Sequence, residues 1–149
     1  MTEAVLLDAG PLGMLAHPKP NPAIDDWLRR LLASGVRVYI AEIADYEVRR
    51  ELVRANLLKS LLRLDHLQQV LGYVPISTAT MLLAAGFWAR LRNQGLQAAP
   101  DPALDADMIL AAQATILATQ GRPVIVASEN ISHLSRLVVA RHWQDPTWP

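Results

Sequence analysis

The sequence predicts a single α/β domain in which a central parallel sheet of four to five short strands carries helices on both faces. Short apolar runs alternate along the chain with longer segments of helical periodicity, which is typical of βαβ units. The 149 residues match one domain, since domains usually hold about 100 to 200 residues. Because 52% of the residues are hydrophobic and 19% are charged, the chain can form a core. We therefore treat residues 1–149 as one domain.

The first half of the chain predicts three strands with helices between them. Residues 4–7 form an apolar run closed by Asp8, as expected of a buried strand that turns into a helix, here near Pro11. A helix starts at Pro22 and its apolar periodicity stops at Gly35. The remaining elements of this half are a strand at 36–40, a helix at 41–57, a leucine-rich helix at 58–71 and a strand at 73–76.

The second half predicts two long helices, a short helix and two more strands. Ser77 or Thr78 can cap a helix that ends near Gly95. Two prolines in residues 97–102 indicate a surface loop. The remaining elements are an alanine-rich helix at about 105–120, an apolar strand at 123–127, a short helix after residue 130 and a last strand near 141–143.

The composition excludes several classes of protein. The 14 basic and 14 acidic side chains cancel, so no overall positive field attracts nucleic acid or an anionic membrane. The absence of cysteine excludes disulfides, thiolate zinc sites and a cysteine nucleophile, and it fits a cytoplasmic protein. The N-terminus lacks the pattern of a secretion signal. The uncharged run 68–89 is interrupted by Gly72 and Pro75, so we expect no membrane span.

Three carboxylates occupy positions that suit a ligand crevice. Asp8 follows the first strand, and the carboxyl ends of parallel strands line such crevices, although Asp8 could equally stabilise the turn into the next helix. Glu47 shares a helical stripe with Arg50 and Arg54; taken alone, a solvated ion pair with Arg50 is the commoner explanation. Asp107 shares its stripe with small apolar residues, which would leave the carboxylate recessed.

A recessed carboxylate requires a partner, and a second carboxylate can serve only if a cation lies between the two. Ser128 and Asn130 follow the last clear strand and add a hydroxyl and an amide oxygen, although either could instead cap the next helix, which is the commoner role for Ser128. Ligands that are all oxygen favour a hard cation such as Mg²⁺ over zinc. Each histidine is expected to be a surface or packing residue: His17, His66, His133 and His142.

Four segments of the chain resemble, in the same order, the signature of PIN-domain nucleases and more narrowly of VapC-type toxin ribonucleases. They are VLLDAGPLGML, VYIAEIADYEVRREL, LDADMILAAQA and VIVASENISHL. Matched to the family pattern, the site residues are Asp8, Glu47, Asp107 and Asn130, with Ser128 in support and Asp105 as a further carboxylate that could act through water. The chain departs from the pattern at Ala9, where many relatives carry a hydroxyl, and an asparagine at the fourth position lowers the charge of the site.

The resemblance implies Mg²⁺- or Mn²⁺-dependent endonucleolytic cleavage of RNA by a metal-activated water. It also implies a homodimer and a cognate antitoxin protein that holds the enzyme inactive. The leucines of residues 57–71 cover more than one helical face and suit an antitoxin surface, although any one of them is more often part of the core. Arg50 and Arg54 are the candidates for contacts with RNA, or alternatively neutralise the acidic pocket.

Three other functions fit the sequence less well. A phosphatase with an aspartyl nucleophile needs an acid two residues after the strand-end Asp, where this chain has Gly10. A Mg²⁺-binding receiver domain needs a lysine at a late strand end, and neither Lys19 nor Lys59 is there. A catalytically silent PIN domain kept for binding is disfavoured by the intact carboxylates.

Overall fold

In a computed structural model that describes residues 3–95 and 101–149, the chain folds around a five-stranded parallel sheet. The strands are β1 (Ala4–Leu7), β2 (Arg37–Ala41), β3 (Gly72–Val74), β4 (Val124–Ser128) and β5 (Ala140–His142). They lie in the order β3-β2-β1-β4-β5, and every neighbouring pair is parallel. The predicted fold class is confirmed, including the last strand.

Six helices and one 3₁₀ turn connect these strands in the described residues. They are α1 (Ala9–Ala16), α2 (Pro22–Ala33), α3 (Glu42–Arg54), α4 (Leu58–Val70), α5 (Thr78–Asn93), α6 (Asp101–Ala118) and the turn Leu134–Arg136. The first helix starts at Ala9 rather than near Pro11, because the Asp8 side chain caps it. The third ends before the predicted residue 57, because Asn56 adopts a left-handed conformation with φ of 56°.

The largest difference from the sequence prediction lies at the start of α6. This helix begins at Asp101, inside the predicted loop 97–102, and not near Asp105. Pro102 is tolerated there because the first N–H groups of a helix have no acceptor within it. Residues 97–100 of the predicted loop lie outside the described part of the chain. The helix predicted after Asn130 is a single 3₁₀ turn.

The core lies on both faces of β1. All four of its residues are buried, which requires helices above and below the sheet and agrees with the continuous apolar run in the sequence. Trp27 of α2 packs edge-on against Trp143 and Trp148, with ring centroids 6.2 and 5.5 Å apart. Such aromatic pairs contribute about 0.5–1.5 kcal/mol each beyond burial, so the tryptophans fasten the C-terminal segment to α2.

The uncharged run 68–89 is divided among three elements of this fold. It covers the end of α4, all of β3 and much of α5. The last of these packs on α6 through a small second core that contains Ala84, Leu91 and Met108. Among the described residues, no helix has both the length and the apolarity needed to cross a membrane.

The sheet order defines where a ligand crevice can form. The chain passes from β1 to β2 and β3 on one side, then crosses to β4 and β5 on the other. In such sheets ligands bind outside the carboxyl ends of the strands where the strand order switches. Asp8 directly follows β1, Ser128 ends β4 and α3 begins after β2, so these elements meet at the edge where the sequence predicts the site.

Candidate active site

Asp8 lies at the switch point, and two hydrogen bonds fix its carboxylate. Oδ1 accepts the N–H of Ala9 at 2.7 Å, and Oδ2 accepts the hydroxyl of Ser128 at 2.6 Å. The first bond caps α1, so Asp8 takes both the cap position and the crevice position that the sequence left open. Burial raises its pKa, and the bonds from Ser128 and Ala9 oppose that shift.

The segment after β4 holds Ser128 and Asn130 in different orientations. Besides its bond to Asp8, the Ser128 hydroxyl accepts the N–H of Asn130 at 3.1 Å, so it both supports Asp8 and stabilises the turn. The Asn130 side chain is engaged locally: its Oδ1 accepts the N–H and the hydroxyl of Ser132 at 3.2 and 2.9 Å. The structure therefore joins Ser128 to Asp8, whereas the amide oxygen of the exposed Asn130 serves its own turn.

Glu47 lies in the second turn of α3 and is partly buried. Burial raises its pKa, and repulsion from the negative charges of Asp8 and Asp107 adds to the shift. Arg50 acts in the opposite direction, with its guanidinium 4.0 Å from the Glu47 carboxylate. Glu47 is thus an electrostatic neighbour of both aspartates, and it is not only half of a surface ion pair.

Asp107 projects from α6 and completes the group. Burial raises its pKa, and repulsion from Asp8 raises it further. The imidazole of His133 acts in the opposite direction, with Nδ1 3.3 Å from Asp107 Oδ2. The negative charges of three carboxylates, from the end of β1, from α3 and from α6, therefore interact, which contributes to the raised pKa values of Glu47 and Asp107.

The electrostatics of this group fit a hard cation. Asp8, Glu47 and Asp107 offer only oxygen, and each has its pKa raised by burial, so the protein bears an unfavourable concentration of negative charge that a divalent ion would offset. Within residues 3–95 and 101–149, no three acidic or imidazole groups meet the spacing of a metal cage. The three carboxylates therefore influence one another electrostatically, but they are not a preformed cage.

The comparison with known proteins rests on structure. No family model and no curated protein matches the chain. Solved structures with a similar fold include FitAcB from Neisseria gonorrhoeae (20% identity, TM-score 0.70) and VapBC2 from Rickettsia felis bound to a DNA fragment from their promoter (16%, 0.73). Both comparisons cover 95% of this chain and 99% of the other. A third is VapBC-5 of Mycobacterium tuberculosis, from the VapBC family of toxin-antitoxin systems (16%, 0.55).

The likeness establishes a shared fold. It extends over nearly the whole chain and agrees with the PIN-like domain that the sequence resembles. At identities of 16–20% it assigns no role to any residue.

Two predicted site residues lie apart from the three central carboxylates. Asp105 is exposed and lines a cavity of about 380 Å³ between α5 and α6, together with Met81 and Trp88. Arg54 is exposed and pairs with Glu51 at 2.9 Å, one turn further along α3 than Arg50. Their assignment to the site therefore stays a prediction, and the structure favours Arg50 over Arg54.

The sequence interpretation missed three contributors to this edge of the sheet. His133 contacts Asp107. Gln113 is completely buried and joins α6 to α3 and β3; the one signal was a lone amide among the apolar residues of that helix. At Gly10, an added Cβ would lie 3.0 Å from Glu129 Cγ. Glycine there lets the Glu129 side chain lie against the first turn of α1.

In the absence of metal, Asp107→Asn is expected to raise the melting temperature at pH 7.5 by about 2 °C or more. The pKa of Asp107 is higher in the folded protein than in the unfolded chain. The folded protein therefore loses stability as the pH rises from the pKa of Asp107 in the unfolded chain to its higher pKa in the folded protein. At neutral pH the ionised carboxylate is destabilising. Calorimetry in EDTA measures the difference.

Asp145→Asn is the control, because the pKa of Asp145 is shifted in the direction opposite to that of Asp107. Bonds from the hydroxyl and N–H of Thr147 lower the pKa of Asp145, so its charge favours folding above the unfolded pKa and its removal should not raise the melting temperature. The gain from Asp107→Asn should shrink as the pH falls from the raised pKa of folded Asp107 toward about 4, the usual pKa of an aspartate in the unfolded chain, and should be lost below it. A variant Asp107→Asn that melts below the wild type at pH 7.5 contradicts this electrostatic description.

Proposed function

We propose that this chain is a divalent-metal-dependent endoribonuclease and the toxin of a toxin-antitoxin pair. The observation that carries the proposal is the position of the partly buried Asp8 carboxylate, which follows β1 where the strand order switches and is held by Ser128. Glu47 and Asp107 are its like-charged neighbours, since burial and the charge of Asp8 raise the pKa of both. Three partly buried like charges without a cation destabilise a fold, and sites that tolerate such an arrangement are commonly functional. The solved VapBC2 and FitAcB structures, which share the fold over 95% of the chain, support the toxin-antitoxin setting.

The charge distribution favours the toxin rather than a DNA-binding antitoxin. One similar structure contains a DNA fragment from a promoter, and a chain that binds duplex DNA needs a basic surface to neutralise phosphates. This chain has no net charge, with 14 basic and 14 acidic side chains, and it concentrates acidic groups at its crevice. We infer that an antitoxin partner supplies any contact with DNA.

The chain's own residues have defined tasks in hydrolysis. Asp8, Glu47 and Asp107 would hold Mg²⁺ or Mn²⁺. When bound, such a cation supplies a water of lowered pKa and offsets the charge that develops on the phosphate. Ser128 keeps Asp8 oriented through its 2.6 Å hydrogen bond. Water is the nucleophile in this scheme, so no side chain needs to attack phosphorus, and the 2′-hydroxyl of the RNA is not consumed.

RNA must be bound by local charge because the chain as a whole is neutral. The Arg50 guanidinium lies over the Tyr46 ring at 5.1 Å and is 53% exposed, beside Glu47. Phosphates approaching the carboxylates would pass this cation. Arg54 lies one turn further away and is engaged by Glu51.

Arg50→Ala is expected to weaken RNA binding and Arg54→Ala to leave it nearly unchanged. For a single strand, the loss of one phosphate contact lowers the slope of log K against log salt by about 0.7. The measurement is RNA affinity across a salt series in the inactive Asp8→Asn background, so that cleavage does not interfere. A larger effect from Arg54→Ala than from Arg50→Ala would exclude this placement of the RNA.

The exposed leucines of α4 form a candidate surface for binding an antitoxin. Leu64, Leu67 and Leu71 of the leucine-rich stretch are buried in the core, whereas Leu58 and Leu62 are 64% and 69% exposed. The exposed pair leaves an apolar face that an antitoxin segment could cover. We also expect a homodimer, which light scattering of the purified protein would detect as twice the 16.4 kDa chain mass.

The proposed activity is tested by incubating the purified protein with structured RNAs in EDTA and in Mg²⁺ or Mn²⁺. We expect internal cleavage only with the divalent ion, including at sites where a 2′-deoxynucleotide replaces the ribonucleotide. Cleavage that persists in EDTA, or that requires the 2′-hydroxyl, would refute the water mechanism. Metal binding without any cleavage would favour the alternative of a PIN domain kept for binding.

A further inference from the structure

His133, in the segment after β4, contacts Asp107, and the sequence pattern did not predict this contact. His133 Nδ1 lies 3.3 Å from Asp107 Oδ2, and the two side chains are 14% and 28% exposed. The residues are 26 positions apart and belong to different elements. The contact is therefore tertiary and largely shielded from water, unlike a chance pairing of surface groups.

The turn that positions His133 also engages the amide oxygen of the Asn130 side chain. Asn130 Oδ1 accepts two hydrogen bonds from Ser132, which closes the chain into a turn directly before His133. The backbone of His133 then enters the 3₁₀ turn, where its carbonyl accepts the N–H of Arg136 at 3.2 Å. As a result, the segment brings an imidazole to Asp107 instead of an amide oxygen.

Hydrogen-bond chemistry assigns the direction of this contact. An ionised carboxylate can only accept, so Nδ1 carries the proton and donates it to Oδ2. That bond occupies one oxygen of Asp107 and restricts rotation of the carboxylate, while the other oxygen stays available. Outer partners that orient metal-ligating groups in this way typically contribute 10- to 100-fold to metal affinity.

We propose that His133 is a positioning residue: its Nδ1–H donates a hydrogen bond to Asp107 and so holds that carboxylate in the orientation that binds a divalent cation. This inference rests on the proposed function, since it assumes that Asp107 is a metal ligand. It adds a residue that is not among the site residues matched to the family pattern, and it explains why a histidine in a turn is kept mostly out of water.

Two substitutions separate hydrogen bonding from packing. His133→Leu keeps most of the side-chain volume and removes the donor. His133→Asn loses volume but places an amide N–H where Nδ1 lies. If the hydrogen bond matters, Mn²⁺ affinity should fall about tenfold or more in His133→Leu and stay within about threefold of wild type in His133→Asn. A packing role predicts the opposite order. His66→Leu, at an exposed position of α4, is the matched control.

Electron paramagnetic resonance of free Mn²⁺ gives these affinities without any need for cleavage. Wild-type affinity in His133→Leu, or equal losses in both variants, would overturn the role of His133 and leave the proposed function intact. Failure of the wild type to bind Mn²⁺ would instead contradict the proposed function. Nitrogen-15 NMR of the wild type in EDTA provides a check independent of the variants: we expect the Nδ1–H tautomer of His133, and an Nε2–H tautomer would overturn the assignment.

Discussion

Asp8→Asn and Asp107→Asn are each expected to lower Mg²⁺-dependent RNA cleavage by at least about a thousandfold. A metal ion contributes several kcal/mol of transition-state stabilisation, and each 1.36 kcal/mol corresponds to tenfold in rate. Asparagine keeps the acceptor that caps α1 at Asp8 and the acceptor for His133 at Asp107. Both proteins should therefore stay folded and inactive, and neither should arrest growth when expressed.

The controls for this prediction are carboxylates close in sequence but outside the group. Asp105→Asn changes a residue two positions from Asp107, in the groove between α5 and α6, and Glu51→Gln changes a residue one turn from Glu47 that pairs with Arg54. We expect each to keep cleavage within about tenfold of wild type. Full activity of Asp107→Asn would remove that residue from the site, and inactive Asp105→Asn would extend the site into the groove.

Gln113→Leu is expected to give the largest loss of stability, about 2–5 kcal/mol. Gln113 Nε2 donates to the carbonyl of Val74 at 2.6 Å, and Oε1 accepts the N–H of Ile43 at 3.3 Å. The side chain is completely buried, so leucine would leave two backbone groups without partners, at about 1–3 kcal/mol each. The melting temperature should fall by roughly 5–15 °C.

The same change is expected to reduce catalysis in protein that is still folded. Gln113 ties α6, which carries Asp107, to the start of α3, which carries Glu47. Its loss frees the two helices to shift, and small displacements of catalytic groups lower rates strongly. Gln120→Leu, at an exposed position after α6, is the control. A melting temperature within about 1 °C of wild type would show that Gln113 does not bridge these elements.

The parts of the fold that the sequence predicted are those with simple local causes. The continuous apolar run of β1 indicates a strand buried on both faces, and Asp8 at its end indicates a crevice position once the sheet is taken as parallel. The placement of Glu47 and Asp107 follows from helical periodicity combined with that topology. The mutual electrostatic effect of the three carboxylates agrees with this reasoning.

The parts that the sequence could not predict depend on side-chain contacts between distant elements. His133 reaches Asp107 only because the turn at Asn130 directs the chain there. Helix α6 includes Asp101, and Leu104 near its start packs with Ala84 and Leu91 of α5; no local pattern of the sequence reveals that contact. Arg50 and Arg54 share a helical stripe in the sequence, yet Glu51 pairs with only the second of them.

Equilibrium Mn²⁺ binding to the wild type and to Asp8→Asn, Glu47→Gln and Asp107→Asn tests most directly whether the three carboxylates act as one cation site. We predict saturable binding to the wild type, and an affinity at least about tenfold lower in each variant because each removes a charged ligand. Glu51→Gln should bind as the wild type does. Unchanged Mn²⁺ affinity in all three variants would contradict the account, since the carboxylates would then repel one another without sharing an ion.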